Sequence, residues 1–353
     1  EKKISKDDGK VRVLGIPTVG DRVAQMVARL HLEPLIEPQF HADSYGYRPG
    51  KGAVHAVAIT RQRCWRKQWV VDLDIKGFFD NLDHEMILKA VRHHTDNPWL
   101  LLYIERWLKA PMQKEDGARV ERTQGSPQGG VISPLLANLF MHYAFDLWMQ
   151  REFPQVQFAR YADDVIVHAI SKGQASYLLN RIRERLNQCK LELHPQKTKI
   201  VYCGTGKRTG KHDERMFDFL GFTFKPRKGK ARKGHFFTSF NPAVSKKAAK
   251  KIREKISNWR IPTSCCTKTL SEIAAIINAT VRGWIAYYGQ FYKMELFKVL
   301  YDLNKILVRW AVKKLKRFKG SRRKAAAWLN RIAKKEPKLF AMWNNGGQLT
   351  IGR

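Results

Sequence analysis

Two adjacent carboxylates, Asp163 and Asp164, lie in the stretch FARYADDVIVHAI, between two runs that are typical of strands. The residues after them are apolar at nearly every position, which is the pattern of a strand covered on both faces. Aspartate is a poor strand former, and burying two like charges side by side is costly unless a cation neutralises them. The pattern therefore leaves two interpretations, a solvated hairpin turn or a metal-binding site.

A second apolar run, WVVDLDI, leads to another carboxylate, that of Asp74, before aromatic residues follow. If both acidic positions lie on neighbouring strands, three carboxylates meet. Such a set could hold two Mg²⁺ ions, which prefer oxygen ligands and bind substrate phosphates. Two ions roughly 3.5–4 Å apart stabilise the attacking and leaving oxygens of a phosphoryl displacement. The hypothesis is that the three carboxylates bind metal ions for phosphoryl transfer. The alternative is that Asp74 is an ordinary acid at the end of a strand and that Asp163-Asp164 is a simple turn.

The chain carries a large excess of positive charge, with 66 Lys and Arg against 31 Asp and Glu, a formal net charge of +35. This surplus predicts a polyanionic partner, by default nucleic acid, with a ribosomal-type or membrane-surface protein as the alternative. The 44% hydrophobic content predicts a folded core. Five cysteines without a C-x-x-C pair favour neither zinc nor disulfides and fit a reducing compartment. No transmembrane-length run or signal peptide is visible.

Periodicity predicts mixed strands and helices up to about residue 224, then mainly helices from about 243 to 335. The DDGK turn within residues 3–16 predicts a hairpin, and residues 84–108 and about 133–149 are expected to be helical. PRKGKARKGHF is expected to be a basic loop. A domain boundary is predicted near residue 225.

Five ordered blocks resemble the group II intron-encoded reverse transcriptase/maturase family. They are LGIPTVGDRVAQ at 14–25, YGYRPGKGAVHAV at 45–57, DIKGFFDNLDH at 74–84, SPQGGVISPLLANLF at 126–140 and YADD at 161–164. INATVRGWIAYYGQF at 277–291 resembles the maturase, or thumb, region, and WLNRIAKKEPKLFAMW resembles the C-terminal end of the family. Five blocks in this order and spacing are far more specific than a single Y-x-D-D.

The resemblance implies an α+β right-hand polymerase followed by an α-helical thumb/maturase domain. Fingers and palm, with an antiparallel palm sheet, are expected in residues 1–225, the helical domain in 226–335 and a tail without an endonuclease domain in 336–353. The family's N-terminal extension is expected to be largely missing, which could impair template binding and strand switching. Without an endonuclease, primed insertion would need another route, such as a nascent strand at a replication fork.

The resemblance also assigns roles to residues of the acidic site. Asp74, Asp163 and Asp164 match the catalytic, metal-binding aspartates of the palm. The backbone carbonyl of Ile75 would be a further ligand of two Mg²⁺ ions, for which Mn²⁺ could substitute. Phe79 matches the aromatic residue beneath the incoming sugar, where a ring would exclude a 2′-OH. Core packing is the alternative role of that ring.

The nucleotide-binding positions implied by the resemblance are Lys6, Arg12, Phe79, Gln128, Gly129 and Lys197. Lys6 and Arg12 match the basic pair of the fingers hairpin that grips the triphosphate, and Arg suits bidentate phosphate contact. The SPQGG loop matches the segment that contacts the nascent base pair and template. Lys197 matches a lysine near the triphosphate, an acid for the leaving pyrophosphate, with Lys199 as the alternative.

The basic helices after residue 225 are expected to hold the template–primer duplex and structured RNA through phosphates. The positions expected to bind nucleic acid are Arg309, Lys313, Lys314, Lys316, Arg317, Arg322 and Arg323. Residues 303–335 contain no acid, which an ordinary solvated helix face does not explain. Arg160 and Tyr161 are expected to support the acidic hairpin.

These observations and the resemblance predict an RNA-directed DNA polymerase that copies RNA into cDNA and assists splicing and retrohoming of its group II intron RNA. The expected partners are an RNA template, a DNA or RNA primer, dNTPs, structured group II intron RNA and target DNA, without a membrane. The expected location is a cytoplasmic, bacterial-type ribonucleoprotein. Two alternatives stay open: an RNA-binding maturase without polymerase activity, and a host-adapted reverse transcriptase in defence, CRISPR spacer acquisition or DNA repair.

Overall fold

The structure of the protein is a computed structural model that describes residues 2–5, 11–205, 212–230 and 234–344. The chain folds into two units, Glu1–Arg215 and Met216–Arg353. The domain limits expected from the sequence, with a boundary near residue 225, stay a prediction.

The described part of the first unit contains short strands and longer helices. The strands are β1 (Lys2–Ser5), β2 (Val11–Leu14), β3 (Trp69–Leu73), β4 (Met112–Gln113), β5 (Arg119–Val120), β6 (Phe158–Tyr161), β7 (Asp164–Ala169) and β8 (Lys199–Tyr202). The helices are α1 (Val19–Ile36), α2 (Ala53–Arg66), α3 (His84–Arg92), α4 (Pro98–Lys109), α5 (Ser133–Met141), α6 (Leu147–Glu152) and α7 (Lys172–Gln188). A π-helical turn, His142–Asp146, joins α5 to α6.

A four-stranded antiparallel sheet in the order β6-β7-β3-β8 forms the centre of the first unit. On one face, Val71, Leu73 and Val167 belong to a core shared with helices α1, α3, α4, α5 and α7. Residues of the other face, such as Val70 and Ile166, are equally buried. The sheet is therefore covered on both sides, as the two-sided apolar pattern predicted, and the expected antiparallel palm sheet is confirmed.

The predicted N-terminal hairpin is present, because β1 and β2 pair antiparallel with Ile4 opposite Arg12. Its DDGK turn lies outside the described residues. The helical character expected over residues 84–108 is present but interrupted, since α3 ends at Arg92 and α4 begins at Pro98. Asn97 accepts hydrogen bonds from the Trp99 and Leu100 amides, so Asn-Pro is a helix start rather than helix interior.

The second unit is a three-stranded sheet and a set of helices. Its strands are β9 (Phe217–Phe219), β10 (Phe222–Lys230) and β11 (Phe236–Val244), in the order β11-β10-β9. Its helices are α8 (Lys246–Asn258), α9 (Ile261–Ser264), α10 (Leu270–Tyr288), α11 (Met294–Lys314) and α12 (Arg322–Lys335). The helical character expected after residue 243 is confirmed. The basic loop expected at PRKGKARKGHF is wrong, because much of this segment extends the paired arms of β10 and β11.

The core of the second unit is built from α8 to α12 and the segment that follows them. Trp310 is buried, and its ring N–H donates to the Cys265 carbonyl at 2.8 Å. The Trp343 ring N–H likewise donates to the Asn304 side-chain oxygen at 3.0 Å. These bonds satisfy the polar atoms of large buried rings. No described helix is both long and apolar enough to cross a membrane.

His168 on β7 is an uncompensated polar group in the first unit. It is buried, and neither ring nitrogen has a hydrogen-bond partner among the described residues. Burial, with smaller contributions from the charges of Arg63 and Lys67, lowers the pKa of His168 to about 3. At pH values between about 3 and 6.5, His168 is protonated in the unfolded chain but neutral in the folded chain. The free energy of unfolding must therefore rise with pH across this window and fall on acidification.

We expect His168→Leu to make the first unit less sensitive to acid. Between pH 7 and pH 5, its free energy of unfolding should fall by about 2 kcal/mol less than that of the wild type, because the buried imidazole no longer resists protonation. Urea denaturation at several pH values measures this difference. The exposed Val23 on α1 supplies the control, since Val23→Leu removes no titratable group and should retain the wild-type slope. Equal slopes for the wild type and His168→Leu would contradict the assignment.

Candidate active site

The acidic hairpin is the two-residue turn that joins β6 to β7. Tyr161 pairs with Asp164, so Ala162 and Asp163 form the turn itself. Ala162 has a φ of 56°, a left-handed conformation that costs a residue with a side chain roughly 1–2 kcal/mol. The strand pairing also places Asp74. Leu73 pairs with Val165 in antiparallel register, so one position closer to the turn Asp74 lies opposite Asp164. The structure thus brings the three predicted carboxylates to one end of the sheet.

The three carboxylates are close enough to repel one another electrostatically. The Asp164 residue reaches solvent on one side, but dense protein surrounds its carboxyl on the others. This desolvation, followed by the charges of Asp163 and Asp74, raises the pKa of Asp164 to about 7, while Lys197 opposes the rise. A carboxyl in this setting is stabilised by an added positive charge.

Asp74 is held by the segment that leads into β8. The Lys197 ammonium lies 3.4 Å from both carboxylate oxygens of Asp74, and the Asp74 amide donates to the Thr198 hydroxyl at 3.3 Å. Ile75 forms a bridge with Leu193. The hydrogen bonds of this bridge come from the flanking residues, so the pairing does not use the carbonyl of Ile75.

The donor set suits a hard divalent cation. Carboxylate and carbonyl oxygens are the preferred ligands of Mg²⁺, Ca²⁺ and Mn²⁺. Within the described ranges, no three His, Cys, Asp or Glu side chains are already assembled closely enough to hold a metal ion. Asp74 contacts the Lys197 ammonium. The oxygen donors of these residues fit a hard cation by their chemistry.

A buried arginine fixes the base of the acidic hairpin. Arg160 on β6 donates from Nε and Nη2 to the two Asp146 carboxylate oxygens at 2.7 and 2.5 Å, and both side chains are 0% exposed. Its Nη1 donates to the Asn138 side-chain oxygen and to the Ala162 carbonyl, both at 3.1 Å. The guanidinium therefore bonds directly to the strained residue of the turn. The expected supporting role of Arg160 rests on these contacts.

A loop from the YGYRPG block packs against the same turn. The Arg160 amide donates to the Asp43 carbonyl at 2.9 Å, and the Tyr45 amide donates to the Arg160 carbonyl at 2.8 Å. A Cβ at Gly46 would lie 2.5 Å from the Ala162 nitrogen, so the close approach of the two backbones requires glycine. The Asn138 amide donates to the Gly46 carbonyl at 2.6 Å, which closes the network.

The SPQGG loop lies against the turn that carries Phe79. The Ser126 amide donates to the Phe79 carbonyl at 2.7 Å, and the Gln128 side chain donates to Asp80 at 3.1 Å. Gly129 has a φ of 122°, and a Cβ there would lie 2.9 Å from the Gly15 carbonyl oxygen. Phe79 is partly buried, with its ring 5.3 Å from that of Phe78. The structure thus groups Phe79 with the SPQGG loop.

The other predicted positions are spread over the two units. Lys6 lies outside the described residues, as does the side chain of Arg12. In the second unit, the exposed positions among those expected to bind nucleic acid are Arg309, Lys313, Lys316, Arg317, Arg322 and Arg323. Lys314 differs, because its ammonium donates to the Thr267 and Lys268 carbonyls. The Lys314 ammonium therefore stabilises the local fold through these two hydrogen bonds.

Sequence reasoning missed the partners of Arg160. Asp146 interrupts the apolar run ANLFMHYAFDLWM, and an acid within such a run signals a buried counter-ion. Asn138 and Gly46 lie inside the recognised blocks, but their contacts depend on long-range packing that no local pattern reveals. Thr198 follows Lys197 and was equally invisible as a partner of Asp74.

Sequence comparisons define the class of protein. Residues 4–224 match the family described as reverse transcriptase (RNA-dependent DNA polymerase), and residues 249–328 match the group II intron, maturase-specific domain. The chain belongs to the reverse transcriptase family, with a maturase-specific region after it. The resemblance inferred from the five blocks is confirmed.

Particular relatives share parts of this chain. It is 30% identical to protein YkfC of Escherichia coli K12 over 241 residues, which cover 58% of this chain and 63% of YkfC. It is 26% identical to group II intron-encoded protein LtrA of Lactococcus lactis over 383 residues, which cover 85% of this chain and 62% of LtrA. A solved Candida albicans telomerase shows 13% identity and a TM-score of 0.49, covering 99% of this chain and 63% of the telomerase. The chain thus spans only part of the length of these proteins.

We expect Arg160→Met to lower the free energy of unfolding of the first unit by about 3–5 kcal/mol, because Asp146 is left buried and unpaired. Urea denaturation followed by circular dichroism measures the change. The double variant Arg160→Met/Asp146→Leu should recover much of the loss, since an apolar pair can replace a buried ion pair at little cost. If the double variant instead loses the sum of the two single losses, the two charges are not coupled and the assignment is wrong.

Proposed function

We propose that this protein is an RNA-directed DNA polymerase that extends a DNA or RNA primer on an RNA template with dNTPs. The observation that carries the proposal is that the strand register brings Asp74 and the Asp163-Asp164 turn to one end of an antiparallel sheet. Membership of the reverse transcriptase family supports it. Copying RNA into cDNA in this way requires a site that aligns a primer hydroxyl with a triphosphate.

In this proposal, Asp74, Asp163, Asp164 and the Ile75 carbonyl hold two Mg²⁺ ions, for which Mn²⁺ can substitute. When bound, these ions would stabilise the attacking and leaving oxygens of the phosphoryl transfer. The carboxylates supply the negative charge that such ions need, at the end of a rigid sheet. Lys197, whose ammonium lies 3.4 Å from Asp74, would neutralise the triphosphate and donate a proton to the leaving pyrophosphate.

We assign nucleotide selection to the surface formed by Phe79 and the SPQGG loop. The loop amide of Ser126 fixes the backbone at Phe79, so its half-buried ring is held in one place. A fixed ring beneath the sugar would collide with a 2′-OH and favour dNTPs. Gln128 and Gly129 would contact the nascent base pair, where a glycine allows close approach of the backbone. Lys6 and Arg12 are proposed to bind the triphosphate.

The second proposed activity is binding of structured group II intron RNA, which would assist splicing and insertion into target DNA. The match of residues 249–328 to the maturase-specific domain supports this role. The exposed cations of α11 and α12, including Arg309, Lys313, Arg322 and Arg323, suit the phosphates of RNA and of a template–primer duplex. Such binding weakens steeply with salt. A cytoplasmic ribonucleoprotein is the location that fits these partners.

We expect the wild type to extend a primer on an RNA template with dNTPs and Mg²⁺. Asp163→Ala should slow extension by about 10³-fold or more, on the order of 4 kcal/mol in the barrier, because a charge that holds the cations is lost. Gel-resolved primer extension at matched protein concentration measures the rate. Glu115→Ala removes an acid from an exposed turn and should leave the rate unchanged.

Binding of the same template–primer provides the second measurement. Asp163→Ala should bind RNA at least as tightly as the wild type, since it loses a negative charge near a polyanion. Extension by Asp163→Ala at the wild-type rate would contradict the site. No extension by the wild type, with tight RNA binding retained, would favour the alternative of a maturase without polymerase activity.

A further inference from the structure

The far end of the β10–β11 hairpin exposes two adjacent aromatic rings. The arms pair over nine residues each, from Phe222 opposite Val244 to Lys230 opposite Phe236. At that far end, the Phe236 residue is 75% exposed and Phe237 is 46% exposed. Adjacent strand residues point to opposite faces, so one ring lies on each side of the hairpin. The last described pairs of the hairpin thus present an apolar surface on each side.

The backbone opposite Phe237 is shaped to its ring. Phe237 pairs across the strands with Gly229, and a Cβ at Gly229 would lie 2.8 Å from the ring of Phe237. The missing side chain lets the ring cover the neighbouring strand, a pairing that stabilises glycine in sheets. Phe237 is therefore held in place even though almost half of it faces solvent.

The base of the hairpin is fastened within the second unit. The Arg227 guanidinium donates to the Asn241 carbonyl at 3.1 Å and the Thr223 carbonyl at 3.2 Å, and lies 5.2 Å from the ring centroid of Tyr292. The Tyr292 hydroxyl donates to the Lys228 carbonyl at 3.2 Å. A hairpin anchored up to Lys228 presents its end without a large loss of conformational entropy on binding.

The surroundings of the two rings are cationic. No acidic residue occurs between Asp218 and Glu254, whereas Lys and Arg recur throughout that stretch. Lys228 and His235 are exposed beside the rings. An anionic ligand is therefore favoured. Exposed aromatic rings interleaved with cations are the arrangement that binds unpaired bases, which stack on the rings while phosphates meet the cations. A fully paired duplex offers the phosphates but no free base faces.

We propose that Lys228, His235, Phe236 and Phe237, in the last described part of this hairpin, bind an unpaired segment of nucleic acid by base stacking. The proposal rests on the proposed function only in taking nucleic acid as the partner, and it needs neither the acidic site nor polymerisation. It gives the protein a contact for unpaired bases in addition to the basic helices, which meet phosphates. RNA and single-stranded DNA share the chemistry that the rings recognise.

The test compares the wild type with Phe236→Ala/Phe237→Ala in the full chain, with EDTA present and no dNTP. Fluorescence anisotropy measures binding to an unpaired oligonucleotide of about 12 nucleotides, a length within the range of such sites, made as RNA and as DNA. A perfectly paired hairpin of equal charge is the third ligand. The double variant should bind the unpaired strands about tenfold or more weakly, since stacking contributes on the order of 1–3 kcal/mol per base. Its affinity for the duplex should be unchanged.

Two matched variants keep the result interpretable. Phe236→Tyr/Phe237→Tyr retains both rings and should retain binding, whereas Thr238→Ala changes an exposed neighbour and should have no effect. Loss on RNA alone would support the proposal and identify RNA as the ligand, and equal loss on RNA and DNA would support a contact that ignores the sugar. Unchanged affinity of the alanine variant, equal loss on the duplex, or no binding of unpaired strands by the wild type would overturn it. Because no polymerisation is measured, a failed primer extension would not imitate these outcomes.

Discussion

The repulsion between Asp74, Asp163 and Asp164 is the constraint on which the first unit depends. Three carboxylates at the end of a sheet repel one another unless a cation is near. Burial, followed by the charges of Asp163 and Asp74, raises the pKa of Asp164 to about 7. Lys197 lies 3.4 Å from Asp74 and offsets part of this negative charge. In the proposed function, bound cations would relieve this repulsion, and the same carboxylates would serve the phosphoryl transfer.

The rest of the first unit holds these charges in place. The buried Arg160–Asp146 pair bonds to the carbonyl of Ala162, the residue with left-handed backbone next to the acids. A buried pair of this kind contributes little net stability compared with apolar packing, but breaking it is expensive. Here the pair holds the acidic turn in position. It connects that turn to α5 and to the π-helical segment His142–Asp146, and Gly46 connects it to a loop that tolerates no side chain. The acidic turn is thereby fixed from several sides.

Local patterns predicted the sheet and its acids but not the contacts that fix them. The apolar runs of β3 and β7 are long enough to be recognised, and each acid stands out because aspartate is unfavourable there. The Arg160–Asp146 pair could not be predicted, since it depends on how the helix after Ser133 packs beside β6. The PRKGKARKGHF part of the β10–β11 hairpin was mistaken for a loop because its Gly, Pro and Lys content disfavours strands. Pairing with the apolar arm of β11 overrides that propensity. The Asn97-Pro98 pair signals the start of α4 in the sequence. The helical spacing of apolar residues on both sides of it hid the break between α3 and α4.

Thermal unfolding of the wild type and Asp164→Asn, each with EDTA and with excess Mg²⁺, tests the central claim most directly. In EDTA the variant should unfold at a higher temperature, by about 2–4 °C for each kcal/mol of repulsion removed. Mg²⁺ should raise the midpoint of the wild type and raise that of Asp164→Asn much less. Glu115→Gln, an exposed acid outside the site, should follow the wild type. A variant that is less stable than the wild type in EDTA, or that gains as much from Mg²⁺, would contradict the claim that a cation resolves the repulsion at this site.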